Sequence, residues 1–300
     1  MKVFLAGASG YIGGSVAAAL IAAGHSVTGL VRTDANAKKV EAFGVTPVIG
    51  ALDDSDVLAK AASAADAVIN AANADHEPGV RALMGALIGT GKAYIHTSGS
   101  SIVGTQAGGK LVDAIYDETT PLTPSPGRAA RVALNQAILA EADKGFRPVV
   151  ICPSLIYGLG AGATLHSMQV PWLIATARKK GIAKHFGPGE NIWSNVHISD
   201  LAPLYLAALD AAPAGAFYFA ENGENSMREL CVAISNMLGF GGRTEAMTLG
   251  EAAEEWGEGA ALNTMGSNSR VRAVRAREEL NWRPGAPSLI TEIEHGCYAV

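Results

Sequence analysis

Cysteine is scarce in this 300-residue chain: only Cys152, Cys231 and Cys297, far apart and with no His or Cys at ligand spacing. That excludes a disulfide frame, gives no metal site, and points to ordinary thiols in a reducing, cytoplasmic compartment. Charge is also sparse. Asp, Glu, Lys and Arg make up 17% of residues and the formal net charge is −5, so no basic stripe invites nucleic acid. No apolar run approaches the roughly 18 residues of a spanning helix, so no membrane partner is expected. A single Lys precedes the first apolar run, which reads as a strand of the fold and not as a signal peptide. Internal repeats and low-complexity tails are missing as well.

What is present is an apolar, glycine-rich chain, 49% hydrophobic with 35 Gly, able to bury a large core. Its first stretch organises the rest. Lys2 to Ala6 reads as a strand, Gly7-Ala8-Ser9-Gly10-Tyr11-Ile12-Gly13-Gly14 as a turn, and Ser15 to Ala23 as an alanine-rich helix. Strand, glycine turn and helix in that order suit a pyrophosphate bound at a helix N-terminus. Gly7 permits the tight turn, Gly10 lets backbone approach phosphate, and Gly13 lets helix and strand pack closely.

Strands are predicted at 25–31, 46–50, 67–71, 93–97, 148–152 and 216–220. Helices are predicted at 37–43, 53–62, 77–90, 128–144, 168–179, 200–210, 226–238 and 272–280. Up to Pro153 the alternation implies a parallel sheet wound by right-handed crossovers. Beyond it the rhythm breaks, with a glycine-rich stretch at 158–163 and a Pro/Gly loop at 185–191. The fold class is α/β: a Rossmann-type doubly wound parallel sheet with a smaller, interleaved C-terminal substrate region. Residues 1–157 form the nucleotide-binding core, with 192–222 returning to it. Residues 158–191 and 223–300 form the smaller region.

The second strand ends in Leu30-Val31-Arg32-Thr33, where an NAD-preferring site would carry a carboxylate for the ribose 2′-hydroxyl. A guanidinium instead accepts a 2′-phosphate through charge-assisted bonds worth roughly 1.5–3 kcal/mol each. NADP(H) is therefore the expected cofactor. The bland reading of Arg32, a solvated surface cation, stays open.

Several motifs together resemble the extended short-chain dehydrogenase/reductases. They are the glycine turn, Asn70-Ala71-Ala72, His96-Thr97-Ser98-Gly99-Ser100-Ser101, Cys152-Pro153-Ser154-Leu155-Ile156-Tyr157-Gly158, Val196-His197-Ile198-Ser199-Asp200, and Glu279-Leu280-Asn281-Trp282-Arg283-Pro284. The resemblance implies a cofactor lying against Gly7, Ser9, Gly10, Tyr11, Ile12, Gly13, Arg32, Leu52, Ala71, Ala72, Thr97, Ser98, Pro153 and Ile156. It also implies a substrate between sheet and C-terminal region.

The chain departs from that family at the acid. The family uses a Tyr followed four residues later by Lys, and none of the seven Tyr here has Lys at that spacing. The matching region has Arg128 and Arg131 near the Lys position. Arginine stays protonated, so it binds oxyanions or hydroxyls but cannot be the acid. Ser101 matches the hydroxyl that holds substrate oxygen in relatives. Tyr157, at a strand end, is the candidate phenol, against a packing role. Asp113, Asp117 and Glu118 read as a solvated acidic loop.

Trp193 stands where nucleotide-sugar members place an Arg, favouring a small, largely apolar carbonyl substrate. His76 and Trp193 join Ser101 as candidate substrate residues, with structural roles as the alternative for each. The functional expectation is an NADP(H)-dependent reductase or dehydrogenase, catalytic through Ser101, Tyr157 and Arg131. A non-catalytic NADP-binding redox sensor and a sugar epimerase or dehydratase are the alternatives. Oligomeric state stays open, a homodimer being one option.

Overall fold

The computed structural model describes residues 1–299. In chain order, β1 (Lys2–Ala6), α1 (Tyr11–Ala22), β2 (Ser26–Val31), α2 (Asp34–Glu41), β3 (Thr46–Ile49), α3 (Ser55–Ala64), β4 (Ala67–Asn70), α4 (Glu77–Gly85) and β5 (Ala93–Thr97) alternate as the pattern predicts. Then come β6 (Thr105–Gln106), α5 (Pro126–Leu139), β7 (Arg147–Pro153), β8 (Leu155–Tyr157), α6 (Gln169–Lys180), β9 (Ala183–Phe186), β10 (Ile192–His197), α7 (Ile198–Ala211) and β11 (Ala216–Ala220). The rest is β12 (Glu224–Ser226), α8 (Met227–Met237), β13 (Thr244–Met247), α9 (Leu249–Trp256), α10 (Glu258–Ala260), β14 (Ser267–Asn268), α11 (Val274–Glu279) and α12 (Leu289–Glu294).

Seven strands form one parallel sheet in the order β11-β7-β5-β4-β1-β2-β3. The order reverses beside β1, so a crevice opens at the carboxyl ends of β1 and β4, where such sheets bind ligands. Both faces are covered, which is why these strands are apolar runs and not alternating ones. Val3 and Leu5 of β1 pack with α1 and α7, while Phe4 and Ala6 pack with α3, α4 and α5. A separate core, built around Leu173, Trp193, Leu230 and Ile293, joins α6, α8 and α12.

Four local readings change. The 185–191 loop begins as β9, which pairs in parallel with β13, some sixty residues on; no short-range pattern announces such a partner. The helix expected over 77–90 stops at Gly85, and that expected over 128–144 gives way to a 3-10 turn after Leu139. The acidic loop is not simply solvated. The Glu118 carboxylate accepts the backbone N–H groups of Phe219, Val274 and Arg275, and burial pushes its carboxyl up. Among the described residues no helix is long and apolar enough to cross a membrane, and no cluster of side chains could hold a metal ion.

Candidate functional site

The glycine turn is built by contacts that exclude side chains. Gly7 has φ +88°, and a Cβ there would lie 2.6 Å from the Ala71 carbonyl oxygen. A Cβ on Gly13 would lie 2.1 Å from the Gly7 carbonyl oxygen, so α1 starts hard against the end of β1. The Gly10 N–H donates to the Gly7 carbonyl at 2.9 Å, and Gly10 caps α1 with no side chain in the way. The first N–H groups of α1 therefore face the crevice uncapped, as an anion requires.

A cleft of about 520 Å³ extends from this turn. Gly7, Ser9 and Gly10 form one end, with Ala71 and Ala72 after β4 alongside. Exposed Arg32 at the end of β2 and Leu52 after β3 line the other end. Two members of the fingerprint turn away from it. The Tyr11 hydroxyl donates to the Gly158 carbonyl at 2.8 Å, and Ile12 packs against the core below the sheet. His76 lines this cleft as well. Its Nδ1 accepts the Gly79 N–H as the cap of α4, and its Nε2 lies 3.0 Å from Asp53.

At the carboxyl ends of β5 and β7 a second group of polar residues gathers. The Thr97 hydroxyl bonds that of Tyr205 at 2.7 Å, and the Ser98 hydroxyl accepts from Asn135 Nδ2 at 2.8 Å. Pro153 is buried at the end of β7, and half-buried Ile156 lies in β8 just beyond. Ser101 lies in a short 3-10 turn (Ser100–Val103) and is reached by Arg131 Nη1 from α5 at 3.3 Å. The other edge of that guanidinium is bidentate on Asp75, with Nε to Oδ1 at 2.7 Å and Nη2 to Oδ2. These bonds hold the Asp75 carboxyl below the usual carboxylate range. His96, fully buried beneath the same loop, is pushed down to about 4 by desolvation and is neutral.

Arg131 lies on α5, and Gly127, four residues earlier on the same helix, has open space around it. Tyr157 stands elsewhere, in β8. Its ring is fully buried edge-on to His197, its hydroxyl already donates to the Pro287 carbonyl at 2.9 Å, and burial raises its pKa. Trp193 is likewise a packing residue, 5% exposed with Nε1 donating to the Ser267 carbonyl at 2.7 Å. Sequence reasoning missed Asp75 and Asn135. Neither carries a motif, and each matters only through a partner far along the chain.

Comparison with known proteins agrees with this geometry. Residues 3–218 match the model of the NAD dependent epimerase/dehydratase family. An oxidase, ucsJ, of Acremonium sp is 32% identical over 98% of this chain and 95% of its own. A ketoreductase of Stigmatella aurantiaca, acting on 4-hydroxy-2-methyl-3-oxo-4-farnesyl-3,4-dihydroquinoline-1-oxide, is 30% identical over 74% of this chain and 69% of its own. The solved dTDP-glucose 4,6-dehydratase of Bacillus anthracis, in complex with NAD, superposes with TM-score 0.77 at 17% identity, covering 99% of this chain and 94% of that one. The glycine cradle, the sheet order and the match over most of the chain make it a member of the NAD dependent epimerase/dehydratase family, the extended short-chain dehydrogenase/reductases.

Proposed function

We propose that this chain is an NADP(H)-dependent reductase of small, largely apolar carbonyl compounds. The observation that carries the reading is the bond from Arg131 to Ser101 beside the nucleotide cleft. Arg131 occupies a lone pair of the Ser101 oxygen, so the Ser101 O–H is free to point outward at a substrate oxygen. The residues of the cleft suit the cofactor, because the uncapped turn takes a pyrophosphate and Arg32 takes a 2′-phosphate. When bound, that cofactor supplies the hydride that reduces the carbonyl carbon. Ser101 then passes its proton to the carbonyl oxygen and regains one from water. Arg131 steadies the negative charge that develops meanwhile, without itself giving up a proton.

The names of relatives support a carbonyl substrate. One is the ketoreductase above, and another is a 2-alkyl-3-oxoalkanoate reductase of Stenotrophomonas maltophilia. The second reading, a non-catalytic NADP-binding sensor, draws on the sequence of α5, which carries no Tyr.

One assay separates them. The protein is incubated with NADPH and a panel of ketones, aldehydes and 3-oxo acids, and oxidation is followed by absorbance. Turnover that falls about a hundredfold in Ser101→Ala supports the reductase, at the scale general acids reach. Tight NADPH binding without oxidation of any compound would move the assignment to the sensor.

A further inference from the structure

We propose that Asp75 is the positioning residue of this site, setting the plane of the Arg131 guanidinium so that Nη1 meets Ser101. The inference rests on the reductase reading above and adds the part that this unusual site needs.

The need arises from replacing Lys by Arg. An ammonium is a compact charge with three rotatable donors, so only its distance to a hydroxyl matters. A guanidinium is a rigid planar fork whose five N–H directions are fixed relative to one another. At the end of a long flexible side chain, it serves Ser101 only if something fixes that plane. Asp75 does so by engaging the Nε edge and Nη2 together, which leaves Nη1 directed at the Ser101 oxygen. A bidentate contact restrains rotation as well as distance.

The carboxylate is itself held. Its own N–H donates to Asn73 Oδ1 at 3.0 Å, and the next residue, His76, caps α4. The loop begins at Asn70, whose Nδ2 lies 3.3 Å from His96 Nδ1, and whose Oδ1 accepts the Ala72 N–H at 3.2 Å. Asp75 therefore stands on a loop pinned at both ends, the same loop that walls the nucleotide cleft at Ala71 and Ala72. Arg128, one turn before Arg131, has no ion-pair partner among the described residues. Without Asp75 the two guanidiniums would face each other uncompensated, and Arg131 would turn from Ser101 toward solvent.

The test uses the full-length chain with NADPH and a carbonyl found by the panel. Asp75→Asn is expected to lower kcat at least tenfold while the NADPH Kd, read by fluorescence, changes less than threefold. Asp75→Glu is expected to recover part of the loss. In Arg131→Lys, whose ammonium has no plane to set, adding Asp75→Asn is expected to change kcat by less than threefold. An Asp75→Asn protein with kcat within threefold of wild type, or one that loses as much in the Lys background, overturns the inference. A turnover-independent reading comes from the Arg131 Nε–H signal in NMR. Slow exchange in the wild type that becomes fast in Asp75→Asn supports the positioning role, and fast exchange in both overturns it. Wild-type protein that binds NADPH and reduces nothing sinks the reductase reading instead, and the NMR signal then decides the role of Asp75 alone.

Discussion

Arg32 is exposed beside the cleft, and no hydrogen bond or ion pair to another of the described residues holds its guanidinium. Arg32→Ala is expected to weaken NADPH binding by about ten- to a hundredfold and to leave NADH nearly unchanged, following the 1.5–3 kcal/mol of a charge-assisted bond. Fluorescence titration with both nucleotides checks it, and equal losses would remove Arg32 from the cofactor site. His96 carries a second prediction. The unfolded chain takes up its proton at about 6.5, the native protein not until about 4, so acid favours unfolding over that interval. The stability lost approaches roughly 3 kcal/mol by pH 4. His96→Gln is expected to flatten that part of the stability curve, measured by urea unfolding between pH 7.5 and 4.5; an unchanged slope would assign the acid sensitivity elsewhere.

Residues that act through chain neighbours were readable in advance. Gly7 and Gly13 follow from spacing alone, since each stands where the backbone leaves no room for a Cβ. Tyr157 and Trp193 suggest chemistry by their types, and their hydroxyl and N–H donate to the carbonyls of Pro287 and Ser267, more than seventy residues away, which no local pattern announces. Asp75 was invisible for the converse reason, an ordinary loop acid until α5 brings Arg131 beside it.

Among the elements, β11 is instructive because it is the outer strand of a seven-stranded sheet. Open edges expose backbone donors and invite foreign strands. Here Glu118 takes the Phe219 N–H at 3.0 Å and, with its other oxygen, two N–H groups at the start of α11. One side chain thus does the work of a neighbouring strand. Glu118→Ala is expected to cost about 2–4 kcal/mol by leaving these donors unpaired, and to lower Tm by roughly 5–10 °C. Thermal unfolding checks this, and a loss below 1 kcal/mol would show that water replaces the carboxylate. The sheet itself followed from alternating apolar runs and helices. The pairings β9 with β13 and β6 with β14 did not, since each joins segments with no shared period.

For the whole molecule, cofactor and stability are linked. A ligand that binds only the native state adds about 2.7 kcal/mol at a hundred times its Kd. NADPH at that excess is expected to raise Tm by about 5 °C, and Arg32→Ala to abolish most of the gain at the same concentration. A Tm indifferent to NADPH would contradict the cleft's assignment.

The backbone of Gly158 joins distant parts of the chain. Its carbonyl is held by the Tyr11 hydroxyl, and its N–H donates to the Tyr298 hydroxyl at 3.0 Å. One residue thereby fastens the first helix of the sheet to the segment beyond α12, so that loosening either phenol is felt at the other.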